Sequence, residues 1–130
     1  MVLDTSALIA ILSGEPEQEA FIHAIERADV RLLSAATLLE ASIVIEARYG
    51  AAGAHHLDRL LERADVEIVP VDGEQASAAR SAWQRFGKGR HPTALNFGDC
   101  FPYALAVTRG EPLLFKGNDF SQTDVSVAQP

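Results

Sequence analysis

Asp4, Glu40, Asp99 and Asp119 are the residues of this chain whose types and spacing suggest chemistry. Asp4 closes an apolar N-terminal run and is followed by Thr5 and Ser6. Its plainer use is to cap a helix opening near Ser6, which is compatible with holding a metal. Glu40 is more informative. On a wheel of about 100° per residue, its neighbours within about 60° are Ala36, Thr37, Ile43, Val44 and Ala47, none of them charged. A carboxylate on such a stripe is costly to bury unless it is paired, hydrogen-bonded or bound to a metal. A partner supplied by another element is the competing reading. Asp99 stands three residues before Pro102. Proline is tolerated in the first turn of a helix and not in its interior, so a helix should start near Gly98 or Asp99. That puts the carboxylate at the helix mouth, as cap or as ligand. Several hard oxygen donors without a softer cluster favour magnesium or manganese.

The other candidates are weaker. Among the four histidines, His55 and His56 are adjacent and diverge on a helix, and no H-E-x-x-H or C-x-x-C spacing exists. Cys100 has no His/Asn pair to activate it and reads as a small core residue. A phosphate loop ending in Gly87-Lys88-Gly89 fails, because Ala82 replaces the first glycine and Gly89 the hydroxyl residue. The G-x-S-x-G elbow is also missing.

These acids need elements to position them. Short apolar runs at Met1–Leu3, Arg31–Leu33, Val66–Val71 and Pro112–Phe115, with a weaker one at Val125–Ala128, read as strands. Between them, helical periods cover Ser6–Leu12, Glu17–Ala28, Ala35–Tyr49, Ala54–Arg63, Gly73–Phe86 and Asp99–Thr108. This alternation predicts an α/β domain with a parallel sheet. In such sheets ligands bind beyond the carboxyl ends of the strands. Asp4 follows the first strand, the helix carrying Glu40 follows the second, and Lys116 to Asp119 follow the fourth. One long loop, Gly87 to Gly98, interrupts the rhythm, and loops of that length are often functional.

The 130 residues form one domain, 1–130, by length alone. A 48% hydrophobic and 22% charged composition is that of an ordinary globular protein. A single cysteine excludes an internal disulfide and suggests a reducing, cytoplasmic setting. Met1-Val2-Leu3-Asp4 has no basic segment like that of a signal peptide, and no apolar stretch is long enough to span a membrane. A net charge of −7 argues against a domain that grips nucleic acid over its whole surface. It leaves room for a nuclease, where carboxylates gather around a metal.

Taken together, Val2-Leu3-Asp4-Thr5-Ser6-Ala7-Leu8, Glu40, Asn96-Phe97-Gly98-Asp99-Cys100-Phe101 with Tyr103-Ala104-Leu105-Ala106, and Pro112 through Phe120 resemble the PIN-domain ribonucleases. Within these, the pattern is most similar to the VapC-like toxins of bacterial toxin–antitoxin pairs. The resemblance runs over essentially the whole chain in order. It implies a three-layer α/β/α sandwich with a central parallel sheet, and magnesium-dependent endoribonuclease activity (manganese being the alternative ion). It also implies a homodimer and inhibition by a small VapB-like antitoxin. Asp4, Glu40 and Asp99 match three of the family's acids. The fourth is displaced: Gly117 occupies its position, and Asp119 lies two residues later, with Asn118 as a neutral alternative. With Asp4 and Asp99 as metal ligands, Glu40 is left as outer ligand, general base or ligand to a second metal. Ser6 or Thr5 would hold a water or a phosphate oxygen.

The two lysines, Lys88 and Lys116, fall in the long loop and beside Asp119. Lys88, Arg90 and Lys116 are the candidate RNA contacts, within a local cluster that includes Arg85, Phe86 and His91. A loop charged only for solubility is the plainer alternative. The helix Ala35–Tyr49 also carries Leu38, Ala41, Ile45 and Tyr49 opposite Glu40, a second apolar face expected to meet another chain. Rival readings fare worse. A phosphorelay receiver needs its aspartate after the third strand, where Asp72 comes too late in the chain, and a D-x-D phosphatase fails at Ser6. A PIN fold without activity, kept as a binding module, rests on Gly117 alone.

Overall fold

The computed structural model describes all residues, 1–130. Four short strands, β1 (Val2–Leu3), β2 (Leu32–Ser34), β3 (Glu67–Val69) and β4 (Leu113–Leu114), form one parallel sheet in the order β3-β2-β1-β4. Helices α1 (Thr5–Leu12), α2 (Gln18–Arg27), α3 (Ala35–Arg63), α4 (Gly73–Phe86) and α5 (Cys100–Arg109) flank it.

Side chains alternate across a strand, and here that alternation divides the core in two. Leu3, Leu33 and Leu114 join one cluster with Leu8 and Ile11 of α1, Phe21 and Ile25 of α2, and Ala41 and Leu57 of α3. Val2, Leu32, Val69 and Leu113 face the other way, onto Ala82 and Phe86 of α4 and Tyr103, Leu105 and Ala106 of α5. The result is the expected α/β/α sandwich.

The helix Gly73–Phe86 appears with the predicted bounds, and Asp72 caps it by accepting from the Gln75 N–H at 2.9 Å. The two predicted helices Ala35–Tyr49 and Ala54–Arg63 are the arms of α3, separated at Gly50. That residue has φ 68 and ψ −156, a region essentially closed to residues with a Cβ. The weak strand Val125–Ala128 is not a strand. It makes one bridge, Val127 to Leu113, and is held instead by the buried side chains of Val125 and Ala128.

The expected interchain face is also corrected. Ala41 and Ile45 are 0% exposed, packed inside their own chain. The most open apolar positions of α3 are Leu39 and Ile43, at 62% and 59% exposure, while of the expected face Tyr49 is exposed at 48%. Both sides of the helix are apolar, so periodicity could not say which side meets the sheet.

Candidate functional site

The acids lie where the strands end, and each is built into its place by local backbone chemistry. Asp4 follows β1 in extended conformation and is buried. Its Oδ2 accepts from the Ser6 N–H at 3.0 Å and the Ser6 hydroxyl at 2.5 Å, so it caps α1 as expected. Its backbone N–H is tied to the Leu114 carbonyl of β4 at 3.0 Å. Oδ1 has no protein hydrogen-bond partner.

Glu40, two turns into α3, is half-buried. The Thr5 hydroxyl donates to its Oε1 at 2.5 Å, which ties it to the residue beside Asp4. Its Oε2 lies over Gly98, where a Cβ would come within 2.2 Å of it. Glycine at 98 is therefore a requirement of space: the backbone leading to Asp99 runs directly against Glu40.

Asp99 differs from the sequence expectation in detail. Its carboxylate does not act as the N-cap of α5. Asn96 does the capping: its Oδ1 accepts from the Asp99 N–H at 2.9 Å, while Asp99 Oδ2 accepts from the Asn96 N–H at 3.1 Å. This reciprocal pair is the geometry of a capping box, with Asn96 and Asp99 three residues apart. Again one oxygen is held and the other, Oδ1, has no protein partner.

Asp119 is exposed on the loop after β4. That loop turns at Gly117, with φ 102, and is anchored by Phe115 stacked edge-on against buried Phe120, ring centroids 5.1 Å apart. Neither Asp119 nor Asn118 makes a side-chain hydrogen bond.

Burial and neighbouring charge act on two of these acids, Asp99 and Asp4. Burial pushes the Asp99 carboxyl up to about 6, and the charges of Asp4, Asp119 and Glu40 add to the rise against the Asn96 hydrogen bond. Burial also raises Asp4, opposed by its bonds to Ser6 and assisted by Glu40. Every ion pair in the chain lies elsewhere, so no lysine or arginine neutralises Asp4, Glu40, Asp99 or Asp119.

Such a set fits a divalent cation. No three acids stand preassembled around one point. Magnesium needs no such cage, because it keeps several waters and is bound through one or two carboxylates. Free oxygens on Asp4 and Asp99 meet that need.

The basic candidates separate. Lys116 turns away from the acids: its Nζ pairs with Glu15 at 2.5 Å and Glu17 at 3.2 Å. Only its backbone joins the site, donating to Ser6 Oγ at 2.9 Å. Two carboxylates already share its ammonium, which makes Lys116 a weaker candidate for an RNA contact than Lys88 or Arg90. Arg85 is spent on Asp124 at 3.0 Å, and His91 Nδ1 accepts from the Thr93 N–H at 3.0 Å. Lys88 and Arg90 are exposed and free of ion pairs, and Arg90 lies over the Trp83 ring at 4.2 Å. The sequence reading missed Arg80, Trp83, Phe97 and Phe101, which line a cleft beside Asp99. Alanines at 76 and 79, with aromatics on facing helices, were the available signal.

Known proteins resemble this chain in sequence and in fold. Over 131 residues, covering 100% of both chains, the sequence is 54% identical to a Mycobacterium tuberculosis protein named Ribonuclease VapC30. The fold superposes with a TM-score of 0.79 on Mycobacterium tuberculosis VapC20, described as a Sarcin-Ricin loop cleaving toxin, at 19% identity over 99% of this chain and 98% of that one. A toxin–antitoxin complex from Klebsiella pneumoniae superposes at 0.75, with 18% identity over 97% and 94%. The family model described as PIN domain matches residues 1–126, and with the acids at the strand ends this places the chain in the PIN domain family.

Proposed function

We propose that this chain is a divalent-metal-dependent endoribonuclease acting as the toxin of a toxin–antitoxin pair, with Mg2+ as the ion and Mn2+ as the alternative. One observation carries the reading. Asp4, Glu40 and Asp99 are each held through one oxygen and present the other without a partner, and no cation of the protein stands beside them. The full-length relative named as a ribonuclease supports it.

Asp4 and Asp99 would hold the ion through their free Oδ1 atoms. When bound, the ion supplies Lewis acidity at a phosphate oxygen and acidifies water. Thr5 fixes Oε1 of Glu40, so Oε2 is presented as an acceptor for a water or its proton. Ser6 clamps Asp4 and receives the Lys116 N–H, which draws the loop bearing Asp119 toward the same place. Asp119 serves as the fourth acid, an outer one. Lys88 and Arg90 contact RNA phosphates.

The proposed partners are a small VapB-like antitoxin and a second copy of the chain. The toxin–antitoxin complex of like fold supports the first. For the second, exposed Leu39 and Ile43 offer the apolar face that Ala41 and Ile45 do not. No helix is long and apolar enough to cross a membrane; cytoplasmic work is part of the proposal.

The test is cleavage of total RNA by purified protein with Mg2+, with chelator, and with Asp99→Asn. Cutting that needs the ion and vanishes in the folded variant supports the reading. An Asp99→Asn protein that cuts as fast as the parent assigns the activity to a contaminant or another site. A parent that neither cuts nor binds Mg2+ is the inactive binding module. Mapping the cut ends identifies the RNA.

A further inference from the structure

Asp119 sits on a segment that no helix or strand holds. After β4 the chain runs through Lys116 to Asp124 in short turns. Those turns close on themselves. The Ser121 N–H and hydroxyl donate to the Asn118 carbonyl at 3.3 and 2.8 Å, and the Thr123 N–H and hydroxyl to the Phe120 carbonyl at 3.1 and 2.7 Å. Three anchors tie the segment to the rest of the molecule. At its start Lys116 reaches Ser6 through its backbone and Glu15 and Glu17 through its side chain. In its middle the Phe120 ring is buried. At its end stands Asp124.

Asp124 is held as fully as Asp119 is free. Its Oδ1 accepts from the Tyr103 hydroxyl and its Oδ2 from Arg85 Nη2 at 3.0 Å, while Arg85 Nη1 donates to the Tyr103 oxygen at 3.4 Å. Arg85 comes from the last turn of α4 and Tyr103 from α5, so one carboxylate joins both helices to the loop. The two partners are not equal. The Arg85–Asp124 pair stands half in water, where an ion pair contributes little. Tyr103 is 3% exposed, and a buried phenol needs an acceptor. Burial and the bond to Asp124 push that phenol up to about 12, so it stays a donor at working pH. Tyr103 also lies one helical turn beyond Asp99, its N–H reaching the Asp99 carbonyl at 3.4 Å. Asp119 in turn is close enough for its charge to add to the rise that burial causes in the Asp99 carboxyl. The Tyr103–Asp124 bond thus links the helix that carries Asp99 to the loop that carries Asp119.

We infer that Asp124 is a positioning residue of the acid site: clamped by the Tyr103 hydroxyl, it fixes the loop that presents Asp119 against the helix that presents Asp99. The inference rests on the ribonuclease reading, with Asp119 as its outer acid, and deepens it. Asp124 touches neither the ion nor the RNA. It acts through Asp119.

The experiment reads cleavage and loop order separately. Asp124→Ala should cut RNA about tenfold more slowly and need more Mg2+, as when an outer partner of a metal site is lost. Tyr103→Phe keeps the ring in the core and should show the same loss. Asp124→Asn still offers Tyr103 an oxygen and should recover most of the activity. The deciding arm is the double variant. Asp119→Ala combined with Asp124→Ala should be no slower than Asp119→Ala alone, because the clamp then has no acid left to place. Amide hydrogen exchange needs no activity at all. Asp124→Ala should speed exchange at Ser121 and Thr123 by about tenfold, the worth of one charge-assisted hydrogen bond, and leave α1 unchanged. Losses that multiply in the double variant overturn the inference, and so does an Asp124→Asn protein as slow as Asp124→Ala. Unchanged exchange in the loop overturns it as well. A parent that cuts no RNA removes the nuclease reading, and the exchange measurement then decides the clamp by itself.

Discussion

Two acidic groups lie on either side of the loop that follows β4, and they are treated in opposite ways. Glu15 and Glu17, before α2, receive the ammonium of Lys116, and a backbone N–H bond first and that contact second hold Glu17 below the usual carboxylate range. Asp4, Glu40, Asp99 and Asp119 receive nothing positive, and Asp99 is pushed up to about 6. The same residue, Lys116, touches both groups: its backbone N–H reaches Ser6, and its side chain turns the other way. A fold needing only to neutralise its acids would have used that lysine at Asp4. The uncompensated charge is therefore a property of one place in the molecule, and under the proposed function a divalent cation would offset it.

The contrast is broken most completely at Asp4. Asp4→Ala removes a proposed metal ligand and the cap of α1 together. We expect RNA cleavage to fall below detection and stability to drop by about 1–2 kcal/mol, read by denaturant titration. Asp4→Asn should lose cleavage equally while keeping most of the cap.

Next comes Asp119. Asp119→Ala should lower cleavage about 10- to 100-fold, the size seen when an outer residue of a metal site is lost. A shifted Mg2+ requirement should accompany it, and Asn118→Ala should change neither. Full activity in Asp119→Ala would leave a three-acid site, and a loss confined to Asn118→Ala would move the role back one residue.

A third effect concerns stability and its sign. Asp99 holds its proton more tightly folded than unfolded, so between about pH 4 and about pH 6 the native state binds more protons. The metal-free protein should lose stability as pH rises through that window. About 1–2 kcal/mol is the expected size, discounted because the side chain is partly exposed. Asp99→Asn should remove this dependence and melt higher than the parent at neutral pH without metal. A flat parent profile across the window would deny that burial, with the neighbouring charges, raises the Asp99 carboxyl.

The smallest effect is expected at the neutralised group. Lys116→Met should leave RNA affinity and cleavage within about twofold, because exposed ion pairs contribute little. A tenfold loss with a weaker salt dependence would make Lys116 an RNA contact.

Much of this site was legible because it is local. Asp4 follows an apolar strand and precedes a capped helix, and Pro102 forces a helix start close to Asp99. Glu40 stood out because nothing charged shares its stripe. What was hidden depends on partners distant in the chain. The bond from Thr5 to Glu40 spans 35 residues and the clasp of Lys116 on Glu15 spans 101, and neither leaves a periodic trace. Which face of α3 meets the sheet was hidden for a different reason. Leu39 and Ile43 are as apolar as Ala41 and Ile45, so hydropathy could not choose between them.

The central claim is that the uncompensated acids form a divalent-cation site, and direct Mg2+ binding tests it most closely. Calorimetric titration of the metal-free protein at neutral pH should show saturable binding with proton release, since Asp99 starts partly protonated. The Asp4→Asn, Asp99→Asn double variant, shown to be folded by its melt, should show none. Binding that survives the double substitution, or a folded parent that binds no Mg2+, would contradict the account.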